Sequence, residues 1–120
     1  MKTQSAKAKG RNLQKWVRES LIHLLGIHPS DIESRSMGSG GEDIILARAA
    51  REVWPFSAEC KNQERVNLWE AYDQASANAG QWEPIVFIKK NHRKPLVLLD
   101  AHYFLEMIGR KGDTHNSHGA

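Results

Sequence analysis

The chain has 120 residues, of which 40% are hydrophobic and 26% are charged, a composition typical of one globular domain with a modest core. Its apolar stretches are too short to span a bilayer, and no apolar segment follows the first lysines, so we expect neither membrane contact nor a secretory signal. The single cysteine, Cys60, excludes an internal disulfide and a cysteine-based zinc site. We therefore expect a cytoplasmic protein, in the bacterial host cytoplasm if the chain is phage-encoded.

The net charge of +3 is small, but the basic side chains are clustered. Two groups of four stand out: Lys2, Lys7, Lys9 and Arg11 near the start, and Lys89, Lys90, Arg93 and Lys94 further on. Clusters of this kind suit the phosphate backbone of nucleic acids. Ordinary solvated side chains at a terminus and a turn are the alternative that composition alone leaves open.

Apolar residues at helical spacing predict a first helix over residues 9–25, ended by Gly26. The inner face of this helix is predicted to hold Leu13, Trp16, Val17, Ser20, Leu21, Leu24 and Leu25. Residues 1–8 are polar and basic, and residues 109–120 lack an apolar pattern, so both ends are predicted to be flexible. The predicted domain is residues 9–108.

Strand and helix patterns alternate along the rest of the chain. The predicted strands are 31–36, 44–46, 56–61, 84–90 and 95–100, and the predicted helices are 47–54, 66–79 and 101–108. A glycine-rich turn over 36–43 is expected to supply positive φ angles. In the strand 56–61, Cys60 would face the core, and Glu59 and Lys61 would face the opposite side. The pattern predicts an α/β domain with a central mixed β-sheet flanked by helices.

Three side chains in this layout suggest chemistry. Asp43 opens one strand, while Glu59 and Lys61 are two apart on another and project the same way. If the two strands are neighbours, the carboxylates meet, repel each other and need a cation, and oxygen ligands of this kind suit Mg²⁺, with Mn²⁺ as a substitute. An adjacent lysine can orient the attacking water and offset phosphate charge. Considered alone, Asp43 is better explained as a turn residue, and Glu59 with Lys61 as a solvent-facing pair on a strand.

The pattern Gly41-Glu42-Asp43 followed by Glu59-Cys60-Lys61 resembles the PD-(D/E)XK nuclease superfamily. Within it, the chain is similar to phage-encoded endonucleases and archaeal Holliday junction resolvases, through the Lys9-Gly10-Arg11 helix start, the turn before Asp43 and the ECKNQE segment. The resemblance implies a restriction-endonuclease-like core in αβββαββα order. It also implies a Mg²⁺-dependent endodeoxyribonuclease that hydrolyses branched or structured DNA in phage recombination, replication or packaging, and it is compatible with a homodimer.

The resemblance also assigns roles to individual residues. Asp43, Glu59 and the backbone carbonyl of Cys60 would be metal ligands, Lys61 would position the nucleophilic water, and Gln74 is similar to an accessory residue directed at the site. Resolvase-like relatives carry a glutamate in the first helix where this chain has Gln14. Either Gln14 replaces that ligand or Glu19 serves instead, which leaves the number of bound metals open.

A set of polar and basic residues is predicted to contact DNA. Its members are Lys9, Arg11, Ser39, Arg48, Arg51, Asn62, Lys89, Lys90, Arg93 and Lys94. Arg48 and Arg51 belong to the predicted helix 47–54 and would occupy its polar face. Related nucleases more usually have a tight hairpin at the position of this helix. Trp16 and Trp54 are interpreted as core residues and not as base-stacking platforms, and Cys60 as a core residue and not as a nucleophile.

Two other classes of function remain open on the sequence. One is a non-catalytic DNA-binding module with a nuclease-like fold, which the glutamine at position 14 favours. The other is a protein-interaction subunit of a phage packaging or replication machine. Cleavage, DNA affinity and Mg²⁺ binding distinguish the three, because only an endonuclease has all of them.

Overall fold

The computed structural model describes residues 5–35 and 40–119, with side chains up to Lys111. The helices are α1 Ala6–Leu25, α2 Arg48–Val53, α3 Leu68–Ala79 and α4 Ala101–Gly119. The strands are β1 Ile32–Ser34, β2 Ile44–Leu46, β3 Phe56–Asn62, β4 Glu83–Lys89 and β5 Leu96–Leu99, and a short 3-10 turn precedes β1. The predicted α/β class is confirmed and each predicted helix and strand is present, but α2 lies between β2 and β3, so the order is αββαβαββα and not αβββαββα. Ser39 and residues 1–4 lie outside the described residues.

Helix α1 is longer than predicted at its start. Ser5 caps it by accepting a 3.1 Å hydrogen bond from the backbone of Ala8, so the Lys9-Gly10-Arg11 segment lies inside the helix and does not begin it. The predicted end is confirmed, since Gly26 has a φ of 70° and its N–H donates to the Ile22 carbonyl.

The buried face of α1 is narrower than the apolar pattern predicts. It is formed by Gly10, Leu13, Gln14, Val17 and Leu21. Trp16 is 48% exposed and Leu24 is 82% exposed, so their predicted place in the core is wrong. The helix presents one narrow stripe to the sheet, and apolar residues beside that stripe remain in contact with solvent.

The five strands form two sheets and not the single central sheet that was predicted. β1 and β2 are an antiparallel pair. β3 and β4 are parallel, and β5 runs antiparallel to β4 at the other side, which gives a mixed three-stranded sheet. The backbone N–H of Asp43 donates to the Ala58 carbonyl at 2.8 Å, which joins the β1–β2 hairpin to β3. The hairpin therefore carries Asp43 to the edge of the larger sheet.

Both faces of β3 are covered. Phe56, Ala58 and Cys60 pack with Leu13 and Val17 of α1 in the main core, as the alternation predicted. On the other face, the small side chains of α3 lie against β4, where the fully buried Val86 forms a second apolar cluster. Alanines let a helix approach a sheet closely. Consequently Ser57 and Glu59, which the strand alternation places on the face opposite Cys60, are buried as well.

Helix α4 continues beyond residue 108, where the sequence predicted it to end. Tyr103 and Met107 pack against the main core as expected, and Tyr103 meets Phe56 edge-on at 5.5 Å. The helical spacing of residues 101–108, which predicts core positions for Tyr103 and Met107, predicts one for Phe104 too, but Phe104 is 47% exposed. Among the helices of residues 5–35 and 40–119, none combines the length and the apolar character needed to cross a membrane.

Candidate active site

Asp43 is held in place at the junction of the two sheets. Its N–H donates to the Ala58 carbonyl, and its own carbonyl accepts a 2.8 Å hydrogen bond from the backbone of Arg35. Its carboxylate Oδ2 accepts a 2.7 Å hydrogen bond from the backbone N–H of Cys60. Backbone and side chain thus fix the carboxylate beside β3.

Glu59 brings the second carboxyl group to the same place. The two carboxyl groups lie close enough for each to affect the pKa of the other. Glu59 is only 5% exposed, and no donor in the described part of the chain reaches its buried Oε2. A buried carboxylate oxygen without a donor is costly to ionise unless a cation faces it.

The pKa values of both carboxyl groups reflect this crowding. Burial, followed by the charge of Asp43, raises the pKa of Glu59 to about 7. Burial also raises the pKa of Asp43, against the opposing effects of the Cys60 N–H bond and the charges of Lys61 and Arg35. Perturbed carboxyl groups of this kind are typical of functional sites.

Lys61 stands beside the pair. Its Nζ lies 3.6 Å from Glu59 Oε1, and its side chain is partly exposed. Lys61 also lines a cavity of about 200 Å³ together with Gln74 and Glu70 of α3, which we call the site cavity. The sequence predicted the convergence of Asp43, Glu59 and Lys61, and the geometry brings the three together.

The donor set fits a divalent cation. Within an extended strand the N–H and C=O of one residue point to the same side, so the Cys60 carbonyl faces the side where its N–H meets Asp43. Two carboxylates and a carbonyl are the oxygen ligands that Mg²⁺ takes, with water in its other positions. The described residues contain no group of three or more His, Cys, Asp or Glu side chains arranged for a metal, so a cation here would depend on this mixed set.

The turn before Asp43 is supported by two arginines. Gly41 has a φ of 90°, so the predicted positive φ is confirmed there, and it lies under the guanidinium of Arg35. Arg35 Nε donates to the Glu42 carbonyl at 2.8 Å. Arg51 makes an ion pair with the Glu42 carboxylate and donates to the Phe56 carbonyl. The residue next to Asp43 is therefore anchored on both sides.

Arg51 was predicted to contact DNA, and the structure corrects this. Its side chain is 5% exposed and its guanidinium stacks 5.1 Å from the ring centre of Trp82. Glu42, Phe56 and Trp82 all lie outside α2, so helical spacing within α2 does not reveal that they surround the arginine. Arg48, on the same helix, is exposed as predicted.

The two candidates for the first-helix ligand lie in different surroundings. Gln14 is 2% exposed on the buried face of α1. Glu19 pairs with Arg18 at 3.9 Å, and Arg18 is itself bonded to the carbonyls of Pro29 and Ile32 near β1. On a helical wheel, Glu19 lies well away from the buried stripe of α1.

The remaining predicted DNA contacts fall into two groups. Near α1, Arg11 is exposed, and Asn62 Nδ2 donates to the Lys9 carbonyl, so that amide joins β3 to the helix. At the C-terminal end of β4 and in the turn after it, four predicted residues line one large cleft: Lys89, Lys90, Arg93 and Lys94. Cys60 is a buried core residue as expected, and burial raises the pKa of its thiol.

Two residues near the site were not predicted. Glu70 lines the site cavity, and its spacing of four from Gln74 puts both on one face of α3, a signal the sequence did contain. Arg35 acts on the charge of Asp43 and on the backbone of Glu42. No spacing rule reveals it, because the hairpin pairing brings it to the site.

Comparison with known proteins does not assign the chain to a family. The sequence matches no protein-family model, and no significant similarity to a curated protein or to a solved structure was found.

Proposed function

We propose that the chain is a Mg²⁺-dependent endodeoxyribonuclease built on a restriction-endonuclease-like core. The observation that carries the proposal is the proximity of the Asp43 and Glu59 carboxyl groups, with no donor among the described residues reaching Glu59 Oε2 and with Lys61 Nζ 3.6 Å from Glu59 Oε1. In a structural ion pair, buried carboxylate oxygens usually have a hydrogen-bond partner. A carboxylate pair with one lysine fits the needs of phosphodiester hydrolysis.

Asp43, Glu59 and the carbonyl of Cys60 would hold the cation. When bound, a divalent cation supplies charge to polarise the scissile phosphate and lowers the pKa of water, so that the nucleophile forms near neutral pH. The protein contributes by orienting its ligands. The Cys60 N–H fixes Asp43, and the short spacing along β3 fixes Glu59 relative to that N–H.

Lys61 would act on the substrate side of the pair. Its ammonium group is within reach of Glu59 and opens toward the site cavity, where it can orient the attacking water and offset the charge of the phosphate. Gln74 lines the same cavity and can hydrogen-bond a phosphate oxygen or the water. Lys61 and Gln74 would therefore both contact the substrate.

DNA is the proposed substrate, in branched or otherwise structured form. The arginine and lysine side chains near the site, on α1 and around the β4–β5 turn, suit a phosphate backbone on either side of it. A homodimer would present two such sites to two strands of a symmetric junction. Mn²⁺ is expected to substitute for Mg²⁺.

The test is the nicking of supercoiled plasmid and of a four-way junction in Mg²⁺, Mn²⁺ and EDTA. We expect cleavage with either metal that is lost in EDTA and in Asp43→Asn, Glu59→Gln and Lys61→Ala. Glu33→Gln, which neutralises an exposed carboxylate on β1, is the matched control and should retain activity. Full activity in Asp43→Asn and Lys61→Ala would overturn the proposal.

The glutamine at position 14 favours one alternative, a DNA-binding module without catalysis. It is buried on α1 and brings no carboxylate, so the cation would have two acidic ligands, Asp43 and Glu59, and none from α1. That alternative predicts salt-sensitive DNA binding without cleavage in either metal, and the same assay distinguishes it.

A further inference from the structure

A second and larger cavity opens beside the site cavity. It has a volume of about 550 Å³ and lies between the loop that follows β3 and the turn between β4 and β5. Because β3 and β4 are parallel, their carboxyl ends meet at this edge of the sheet, where ligands commonly bind in α/β domains. Gln63 and Val66 line both cavities, so the larger one, which we call the basic cleft, is continuous with the surface around Lys61.

The net positive charge of the chain is concentrated in the basic cleft. It is lined by five cations, Arg65, Lys89, Lys90, Arg93 and Lys94, and by one carboxylate, Glu64. The resulting charge of +4 exceeds the +3 of the entire chain. Five cations brought together by two loops repel one another, and a polyanion in the cleft would relieve that repulsion.

The two loops are fixed to each other. Glu64 Oε2 accepts a 2.7 Å hydrogen bond from the backbone of Asn91, and Gln63 N–H donates to the Lys89 carbonyl at 3.0 Å. The single carboxylate of the cleft is therefore engaged in holding the β4–β5 turn. In addition, α3 begins at the border of the two cavities, capped by Asn67, and its N-terminal dipole adds to the positive field.

Part of the cleft is apolar. Val66 and Ile88 are half-buried in it, and Leu68 and Leu96 line it while 41% and 52% exposed. A surface that contacts only a duplex backbone has no use for aliphatic side chains, since phosphates and sugars are polar. Bases have apolar faces, but in a duplex these are stacked and out of reach.

We propose that the basic cleft binds an unpaired segment of the DNA strand, with phosphates against the cations and bases against the aliphatic side chains. Its volume falls within the range of about 300–1,000 Å³ that holds small ligands, which suits an extruded or single-stranded nucleotide and not a double helix. The inference rests on the proposed function and narrows it. The preferred substrates are then DNAs with an unpaired strand next to the cleaved bond, such as flaps and open junctions.

The experiment measures binding without cleavage. The full chain is titrated in EDTA with labelled oligothymidylate about 12 nucleotides long and with a hairpin duplex of equal phosphate number, over a series of salt concentrations. We expect the single strand to bind about tenfold more tightly than the duplex. Equal affinity, or a preference for the duplex, overturns the inference.

Two sets of variants locate the contact. Arg93→Ala/Lys94→Ala should weaken single-strand binding and reduce the salt slope by roughly 1.4, because each phosphate contact on a single strand contributes about 0.7. Lys15→Ala/Lys111→Ala removes two exposed cations from α1 and α4, outside the cleft, and should leave both quantities unchanged. An equal loss in the two double variants contradicts the placement.

Leu68→Ala should weaken single-strand binding about fivefold while the salt slope stays the same, because it removes an apolar contact and no charge. If that variant unfolds, Leu96→Ala on the edge strand β5 serves the same purpose. An unchanged affinity in the folded variant overturns the role of the aliphatic side chains. If the chain nicks DNA but does not prefer single-stranded to duplex DNA, this inference alone is contradicted. If it prefers single-stranded DNA but does not nick, the proposed endonuclease activity alone is contradicted.

Discussion

The backbone N–H of Cys60 donates to the carboxylate of Asp43 at 2.7 Å, across the junction between the β1–β2 hairpin and the three-stranded sheet. One carboxylate of the site is thus oriented by the residue that follows the other along β3. The bond has two effects: it satisfies a buried donor at the edge of β3, and it fixes the direction in which Asp43 presents its second oxygen.

Comparing Asp43→Asn with Asp43→Ala should reveal the energy of this bond. Both substitutions remove the charge, but the asparagine oxygen can still accept from Cys60, whereas alanine leaves the N–H unpaired. We expect the alanine variant to be less stable than the asparagine variant by about 1–3 kcal/mol. Urea denaturation in EDTA measures the difference. Equal stabilities would mean that solvent reaches the Cys60 N–H.

The metal-free protein should lose stability as the pH rises toward neutrality. The pKa of Glu59 is raised to about 7, so at intermediate pH the folded chain keeps a proton that the unfolded chain has released. The free energy of unfolding then falls from the ordinary carboxyl pKa up to about pH 7, by as much as about 3 kcal/mol. The raised pKa of Asp43 acts in the same direction.

Denaturation in EDTA at about pH 5 and about pH 8 checks this expectation. Glu59→Gln should flatten most of the dependence and be more stable than the parent chain at the higher pH. Saturating Mg²⁺ should stabilise the parent at that pH, by about 2.7 kcal/mol at a hundredfold excess over Kd, and should have little effect on Glu59→Gln. A stability that rises with pH in EDTA would contradict the buried carboxylate pair.

Lys61→Met should separate metal binding from cleavage. The lysine lies 3.6 Å from Glu59, so its removal takes away a cation that competes with Mg²⁺ for the carboxylate. We expect Mg²⁺ to bind as tightly or more tightly by calorimetry, while nicking falls by about a hundredfold or more. Lys15→Met, on the exposed side of α1, is the control and should change neither. Parallel losses of affinity and activity would make Lys61 a structural partner of Glu59 only.

Arg51→Met should be among the most destabilising single changes in α2. It leaves the Glu42 carboxylate without its buried partner and the Phe56 carbonyl without its donor, at an expected cost of about 3–5 kcal/mol. Arg48→Met on the same helix should fall within about 0.5 kcal/mol of the parent. Adding Glu42→Gln to Arg51→Met should recover part of the loss. Thermal unfolding of the parent and the three variants measures these differences in stability. Equal destabilisation by Arg48→Met and Arg51→Met would contradict the buried ion pair of Arg51 with Glu42.

Local pattern was sufficient for much of the fold. The period-two alternation in β3 placed Cys60 in the core and Glu59 with Lys61 on the other face, and Gly26 marked the end of α1. These features depend on neighbours in sequence, which is what periodicity and capping rules describe. The convergence of Asp43 with Glu59 needed a further assumption, that their strands are neighbours, which the residue pattern alone does not supply.

Features that depend on distant partners were not predictable in this way. Arg51 has the spacing of a solvent-facing residue, yet it is buried in contact with Glu42 and Trp82, both of which lie outside α2. The burial of Glu59 results from the close approach of α3 to the second face of the sheet. Likewise, a run of apolar residues on α1 does not reveal how wide a stripe the sheet will cover, and Trp16 therefore lies outside it.

The division of the strands into two sheets has a consequence for how the carboxylate pair can come apart. The hairpin is fastened to β3 through Asp43, by its N–H to Ala58 and by its side chain to Cys60. Any local opening of that seam would release the amide protons of residues 43 and 60 to solvent and separate the two acids in the same event. Deuterium uptake at those two amides would therefore report, in real time, the fraction of molecules in which the pair is intact.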